Sequence, residues 1–360
     1  MLHIMVCDRR IAVGSIKEKS VDSNYKLIDL LKFICAFFVI GIHTRPFQAS
    51  NVALDKLFYY DISNYAVPFF YACTGYFLIV KQPEVELHTK LIFRCKKVTK
   101  LYLAWSIVYL PLTICGWWIE GGGIKYWVGC LRNYIFVGEN FYSWTLWYLN
   151  GLIFALLMID ILLKKFSIKQ ISGIGTVAYL VGIGLTMLND HLGCLPLFLS
   201  RFVNLYFSLF VTTRNGLFQS LVFVTFGMLM AEIDQANELK LSVKKGFFAE
   251  VIYIIKVGFS LIGGGYFSKI LDLPTFWLLF ELVICTCKMA NFRGLFYKQL
   301  RGMSETIYFV HMYFVAFCSL VLYKENYHNF KSYFICAGGA TIIALLCQIY
   351  NSKKEVMKNG

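Results

Sequence analysis

The sequence predicts an all-α, polytopic membrane protein of about ten transmembrane helices. Of its 360 residues, 58% are hydrophobic and only 16% are charged, and the mean hydropathy is +0.61. A soluble domain of this length must keep a polar surface, so it does not carry long apolar runs along its whole chain. Here such runs recur from one end to the other, and no separate soluble domain is predicted.

Ten apolar runs are the candidate transmembrane helices, since each approaches the length of about 17–25 residues that crosses a bilayer. In chain order they cover 27–43, 65–80, 101–118, 144–163, 170–188, 216–231, 247–266, 270–288, 305–322 and 333–350. The seventh run contains Lys256 and three glycines at 263–265, and the eighth contains Asp272, Pro274 and Glu281. These two are therefore the least apolar of the ten.

Lysine and arginine are distributed unevenly between the segments that join these runs. With the N-terminus placed in the cytoplasm, the cytoplasmic segments hold 24 of them and the loops on the other side hold 9. Positive residues are enriched on the cytoplasmic side of membrane proteins. We therefore predict a multi-pass plasma-membrane protein with both termini in the cytoplasm. It would comprise a polar N-terminal segment 1–25, which does not resemble a signal peptide, a transmembrane domain 26–350 and a tail 351–360.

The net charge of +14 is explained by the same loops. A nucleic-acid partner is not expected, because no basic stripe alternates with exposed aromatic residues. The twelve cysteines are scattered singly, mostly in apolar runs, with no CxxC pair and no Cys/His cluster at zinc spacing. We predict that they are small buried hydrophobic residues, and we predict no metal site.

Five tryptophans lie near the predicted outer ends of the spans. They are Trp117, Trp118, Trp127, Trp144 and Trp147. Because indole rings are enriched at the membrane–water interface, we expect most of these side chains to anchor the helices there.

The first span carries two polar residues that a helix surrounded only by lipid would not be expected to contain. In the stretch DLLKFICAFFVIGIHTRPF, residues 29–47, Lys32 and His43 are eleven positions apart. On an α-helix this spacing puts them on one face, about 16 Å apart along the axis. Charged side chains in a bilayer cost about 2.5–3.5 kcal/mol on insertion scales, so they usually face a bundle interior or a wet cavity. Asp29, one turn earlier, is placed to neutralise Lys32.

Two interpretations of this pair stay open on the sequence of the helix alone. In one, Lys32 extends to the lipid headgroups and His43 simply ends the helix. In the other, both residues line a transmembrane cavity, in which the ammonium holds an anionic ligand and the imidazole moves a proton.

The residues around the pair resemble the signature of a known family. Asp29, Ala36, Val39 and His43 fit the pattern lDxxRxxAxxxVxxxH of the acyltransferase family 3 membrane proteins. Lys32 stands where that family usually has arginine. The positive charge is kept, but the planar, two-pronged donor is lost.

Further blocks resemble segments of that family and follow in the same order. They are AVPFFYACTGYFL (66–78), FRCKKVTKLYLAW (93–105), WTLWYL (144–149), TRNGLFQSLVFVTFGML (213–229) and LRGMSETIYFVHMYFV (300–315). The block at 66–78 and the block at 213–229 are most similar to the membrane domain of vancomycin-resistance serine racemases. The resemblance associates that subgroup with inward carriage of L-serine.

The resemblance implies transfer of an acyl group, often acetyl. The donor would be a cytoplasmic thioester such as acyl-CoA, and the acceptor a hydroxyl of an extracytoplasmic carbohydrate or cell-envelope polymer. A hydroxyl that attacks an acyl carbonyl needs a general base, and histidine titrates near neutral pH. We therefore expect His43 to act as the base on the acceptor side and Lys32 to act on the phosphorylated donor. No bound cofactor is expected.

Three other residues are candidates for substrate binding, together with Asp29. Arg214 precedes the sixth span on the outer side, where it binds the acceptor, stabilises an oxyanion or simply anchors the headgroups. His311 is expected near the inner half of the ninth span, with a buried structural histidine as the alternative. Glu281 is a carboxylate inside the eighth span, and an intramembrane carboxylate is a functional candidate.

A transporter is the competing class of function. The same cavity, ammonium and imidazole suit the carboxylate of an amino acid, such as L-serine, that is carried across the membrane. A complete racemase is not expected, because the ten residues after the last predicted span leave no room for a pyridoxal-phosphate barrel. A purely structural membrane subunit would explain neither the pair of Lys32 and His43 nor the family blocks.

Overall fold

A computed structural model describes residues 25–138, 140–239, 242–289 and 296–359 of the protein. All regular structure in these ranges is helical, as predicted. The α-helices are α1 (Lys26–Thr44), α2 (Val52–Lys56), α3 (Ala66–Val80), α4 (Leu87–Glu120), α5 (Ile124–Phe136), α6 (Trp147–Leu162), α7 (Ile168–Asp190), α8 (Leu197–Phe210), α9 (Leu221–Gln235), α10 (Val243–Leu261), α11 (Gly265–Met289), α12 (Phe296–Phe317) and α13 (Phe330–Asn359). The predicted N-terminal segment lies outside the described residues except for Tyr25.

Eight helical segments in the described ranges are long and apolar enough to cross a membrane. They are Lys26–Thr44, Leu87–Glu120, Trp144–Leu162, Ile168–Asp190, Gly216–Gln235, Gly265–Met289, Phe296–Leu322 and Phe330–Lys354. They correspond to all the predicted spans except the second and the seventh. The predicted class, an all-α polytopic membrane protein, is therefore confirmed.

The second predicted span forms α3, which is only 15 residues long. It still runs antiparallel to α1. Near its end, Phe77 lies under the ammonium of Lys32, close to the start of α1. The segment before α3 reaches the other end of α1, because the ring of Phe58 packs where a side chain at Gly41 would be. The short helix thus retraces the middle of α1 in the opposite direction.

The seventh predicted span forms α10, a helix of 19 residues that contains Lys256. It runs antiparallel to α11. Lys245 near its start contacts Glu281 near the end of α11, and Lys256 near its end contacts Asp272 near the start of α11. Both α3 and α10 fall short of the length-and-composition criterion that the eight segments meet.

Three spanning helices extend well beyond the predicted runs, and one of them, α13, continues past position 350 to Asn359. α4 begins at Leu87, so the basic block 93–105 lies within the helix rather than ahead of it. α12 begins at Phe296 rather than at position 305. An apolar run marks only the part of a helix that lies in hydrocarbon, whereas the backbone hydrogen bonds continue into the polar region.

The closest helix pair in the core is α3 with α9. A Cβ atom at Gly75 would lie 1.9 Å from the carbonyl oxygen of Val224, and one at Gly227 would lie 1.9 Å from that of Ala72. Small residues allow two membrane helices to approach this closely. This contact holds α3 closely against α9.

Two shorter helices, α5 and α8, lie at the surface and were not predicted as elements. Several of their apolar side chains are exposed, such as Trp127 and Phe198. The helices contact each other through the guanidinium of Arg132, which donates to the carbonyl of Ser208. Short helices with one apolar face are typical of segments that lie in the membrane interface.

Candidate functional site

Three aromatic side chains from separate helical segments meet at the carboxyl end of α1, which is called the His43 end below. The imidazole of His43 lies 5.5 Å from that of His311 in α12, centroid to centroid, with 37° between the ring planes. The indole of Trp144, in the short 3-10 turn before α6, stacks on His43 at 6.1 Å and 18°. His43 is partly exposed and has no hydrogen-bond partner within the described residues. Both of its ring nitrogens are therefore open to a substrate.

His311 is fully buried beside His43. Its Nδ1 lies 3.1 Å from the carbonyl oxygen of Ile307, and its Nε2 has no partner in the described structure. Since the carbonyl can only accept, the contact assigns the ring proton to Nδ1 and leaves Nε2 as an acceptor. The prediction that His311 lies near the inner half of its span is wrong. Because α12 begins at Phe296, His311 falls in the later part of the helix, level with His43.

Trp144 is one of the five tryptophans that lie near the predicted outer ends of the spans, and the structure adds a contact that the sequence did not predict. Its ring stacks on His43 and lies 5.1 Å from the ring of Tyr142. Other tryptophans lie at the surface of the protein: Trp118 is 87% exposed and Trp127 is 59% exposed. Trp144 therefore belongs to the candidate site, whereas Trp127 lies at the exposed surface.

The His43 end also carries positive charge. Arg214 is exposed and lies in the loop between α8 and the π-helical turn Gly216–Ser220. The side chain of Asn215 caps that turn by accepting hydrogen bonds from two backbone N–H groups. Arg214 is near enough for its charge to act on the imidazole of His43. An anionic group that develops at this end would meet the positive charge of this guanidinium.

Lys32 lies towards the start of α1, which is called the Lys32 end below. Its ammonium lies 5.2 Å from the centroid of the Phe77 ring, and the ammonium of Lys81 lies 5.1 Å from the same ring. Within the described residues no carboxylate contacts Lys32, which is partly buried. A cation in this setting is held by an aromatic face and keeps its capacity for an anionic ligand.

Asp29 does not neutralise Lys32, contrary to the sequence-based expectation. Its buried carboxylate accepts two hydrogen bonds of 2.8 Å from Arg301 in α12, one from Nε and one from Nη2. The planar guanidinium matches both carboxylate oxygens at once, which an ammonium cannot do. The pair links α1 to α12 at the Lys32 end, while His43 and His311 link them at the other end. Asp29 thus supports the helix pair and leaves Lys32 unpaired.

Glu281 is not brought together with the other candidates. It lies in α11 and accepts a hydrogen bond of 2.5 Å from Lys245 in α10. The two residues line a cavity of about 240 Å³ between these helices, together with apolar side chains such as Leu278 and Leu282. Glu281 therefore pairs α11 with α10, and it is not part of the group of residues around His43.

The structure also shows a charged cluster that sequence reasoning did not assemble. Lys256 of α10 is buried between Asp61, before α3, and Asp272 of α11. The sequence marks Lys256 and Asp272 only as interruptions of apolar runs, and Asp61 falls in a polar loop. No local pattern relates the three, because they meet only through the packing of three separate segments.

The two ends of α1 thus offer different chemistry. The Lys32 end offers ammonium groups for an anion, and the His43 end offers imidazoles for proton transfer beside an arginine. The described residues contain no group of three or more His, Cys, Asp or Glu side chains placed to hold a metal ion. Acid–base and electrostatic catalysis are the chemistry that these side chains themselves can supply.

The chain is similar to parts of two longer known proteins. The chain is 25% identical over 319 residues to an amino-acid racemase of Enterococcus faecalis, which covers 85% of the chain and 41% of the racemase. It is 29% identical over 217 residues to a serine/alanine racemase of Enterococcus gallinarum, covering 59% of the chain and 30% of that protein. The matched segments therefore cover less than half the length of each of these relatives.

No solved structure matches the chain significantly. A family model described as an acyltransferase domain matches residues 25–349, which include both ends of α1, Arg214 and His311. That match covers most of the sequence, and among the described helices only α13 extends beyond it, by its last turns. The chain belongs to acyltransferase family 3.

Proposed function

We propose that the protein transfers an acyl group, acetyl being the simplest, across the membrane to an envelope acceptor. The donor would be a thioester such as acyl-CoA at the cytoplasmic side, and the acceptor a hydroxyl of a carbohydrate or cell-envelope polymer on the other side. One observation carries the proposal: a single helix presents Lys32, with no carboxylate partner in the described structure, and His43, with both ring nitrogens open.

The Lys32 end suits the donor. Phosphate groups bind ammonium groups through charge-assisted hydrogen bonds, and two lysines flank Phe77 at this end. In acyl-CoA the thioester lies at the far end of a long flexible arm, remote from the phosphates. A donor whose phosphates bind at Lys32 would therefore extend its thioester along α1, over about 16 Å, towards His43.

The His43 end suits the reaction. The imidazole takes the proton of the acceptor hydroxyl, and the hydroxyl oxygen bonds to the acyl carbon. The carbon–sulfur bond then breaks, and the leaving thiolate takes the proton back from the imidazolium. The negative charge on the carbonyl oxygen in the transition state is stabilised by the nearby guanidinium of Arg214. The ring of His311 packs 5.5 Å from that of His43 and restricts how the His43 ring can turn.

Labelled donor tests this proposal. Membranes that contain the protein are incubated with acyl-CoA labelled in the acyl group, and base-labile label is then counted in the envelope fraction. We expect label with the native protein and little with His43→Ala. His191→Ala is the matched control, because His191 is an exposed histidine at the end of α7. Equal labelling with and without the protein would refute acyl transfer.

A second function, carriage of an amino acid, is favoured by one finding. The relatives include proteins named amino-acid racemase and serine/alanine racemase, of which this chain matches only a part. An ammonium such as that of Lys32 can bind either a carboxylate or a phosphate. Uptake of labelled L-serine by the same vesicles separates the two functions. Uptake that needs Lys32, in the absence of any acyl transfer, would favour carriage.

A further inference from the structure

A buried cluster of three charged residues lies apart from His43 and takes no part in the proposed acyl transfer. The side chains of Lys256 and Asp61 are 0% exposed and that of Asp272 is 4% exposed. The ammonium of Lys256 contacts Asp61 Oδ1, lies 3.3 Å from Asp272 Oδ1 and donates to the carbonyl of Tyr60 at 3.2 Å. One cation thus stands between two carboxylates in the interior of the bundle.

The two carboxylates differ in how their oxygens are satisfied. Asp272 accepts from the side-chain amide of Asn64 at 3.0 Å through Oδ2 and from the hydroxyl of Tyr65 at 3.2 Å through Oδ1. Asp61 Oδ2 is buried and has no partner in the described structure. A buried carboxylate oxygen to which no group donates, such as Asp61 Oδ2, indicates that the cluster contains one more proton than its ionised form would have.

The charges of the cluster lead to the same conclusion. Titratable side chains face it from every segment packed around it, and they are Asp61 and Tyr65 before α3, Tyr179 of α7, Lys256 and Tyr253 of α10 and Asp272 of α11. The tyrosines are neutral. With all three charged groups ionised, the cluster would carry one net negative charge without a counterion. A buried, unpaired charge is strongly disfavoured in a low-dielectric interior.

We infer that Asp61 and Asp272 together bind one proton, which makes the cluster electrically neutral. The proton comes from water, and Asp61 Oδ2 is the oxygen free to carry it. The protonated cluster holds α10 against the segment before α3 and against α11. This membrane domain therefore contains a proton-binding site separate from its proposed acyl-transfer site.

Infrared spectroscopy of the purified protein tests the inference. A protonated carboxyl group has a C=O stretching band that a carboxylate lacks, and ¹³C-labelled aspartate identifies the band as that of an aspartic acid. We expect one such band at pH 7. Asp61→Asn and Asp272→Asn should each remove it, because the remaining carboxylate and Lys256 then form a neutral pair. Lys256→Met should keep or strengthen it.

Asp234→Asn is the matched control, since Asp234 is a buried carboxylate paired with a single lysine, Lys288. It should leave the band unchanged. Absence of the band from the native protein would overturn the inference without reference to any variant. Persistence of the band in folded Asp61→Asn or Asp272→Asn would also overturn it, because the proton would then belong to another group. None of these outcomes depends on whether acyl transfer is observed.

Discussion

The imidazoles of His43 and His311 lie 5.5 Å apart, although one belongs to the first spanning helix and the other to the last but one. Their helices α1 and α12 run in the same direction, since Asp29 and Arg301, earlier in each helix, also meet. The long contact between α1 and α12, which is held at both ends, therefore fixes the positions of the two histidines. This arrangement gives His43 a defined position while leaving it partly exposed to substrate.

The first prediction concerns His43. A general base contributes roughly 10²–10⁴-fold to a rate, so His43→Ala should lower acyl transfer by about that factor. Insertion into the membrane should be unaffected, because His43 makes no hydrogen bond within the described structure. Rates are compared at matched protein levels with His191→Ala as the control. Full activity of His43→Ala would end its assignment as the base.

The second prediction concerns Lys32. If its ammonium binds the donor phosphates, Lys32→Arg should keep or raise the rate, because guanidinium binds phosphate in two-pronged geometry. Lys32→Ala should raise KM for the donor and abolish transfer at low donor concentration. Lys164→Ala, at an exposed lysine after α6, controls for the general loss of a positive charge. A fully active, normally expressed Lys32→Ala variant would show that Lys32 only reaches the headgroups.

The third prediction concerns the pair of Asp29 and Arg301. Asp29 is buried and Arg301 is 40% exposed, so the pair lies between the surface and interior cases. Its coupling energy should be about 1–3 kcal/mol. Thermal unfolding in detergent of Asp29→Ala, Arg301→Ala and the double variant forms the cycle that measures it. Additive effects of the two substitutions would show that the pair does not tie α1 to α12.

The fourth prediction concerns His328, in the loop before α13. Burial lowers the pKa of His328 below its ordinary value, and the charge of Arg45 acts in the same direction. The unfolded chain therefore binds a proton at this residue more readily than the folded protein. The stability contribution of neutral His328 is present above about pH 6.5 and is lost as the pH falls below that value.

Unfolding temperatures measured from pH 7.5 down to pH 5 test this sign. The native protein should lose stability on acidification, and His328→Gln should lose less over the same interval. A His328→Gln variant with the same decline would assign the pH dependence to other groups. His191→Gln serves as the exposed control.

The sequence predicts most of the helices because a bilayer imposes long apolar runs, and these are visible without any alignment. It also places His43 and Lys32 on one face, since that relation depends only on helix geometry. The partners of Asp29 and Trp144 could not be predicted. Asp29 had a neighbour of opposite charge one turn away, but its partner, Arg301, lies in another helix. Trp144 had the composition of an interface anchor, and only tertiary packing places it on His43.

The position of His311 shows a related limit. Apolar composition locates the hydrocarbon part of α12 but not its first turns, so counting from the apolar run placed the residue too early. The buried cluster of Lys256 shows another. Charged residues within apolar runs signal that something pairs with them, but they do not identify the partner.

Vesicles of known orientation test the central claim, that the acyl group passes along α1 from the Lys32 end to the His43 end. The purified protein is reconstituted with the acceptor enclosed, and labelled acyl-CoA, which does not cross lipid, is supplied outside. We expect enclosed acceptor to gain labelled ester only in vesicles whose Lys32 end faces outwards, and His43→Ala to abolish the gain. Labelled ester formed only when donor and acceptor share one side of the membrane would contradict the account.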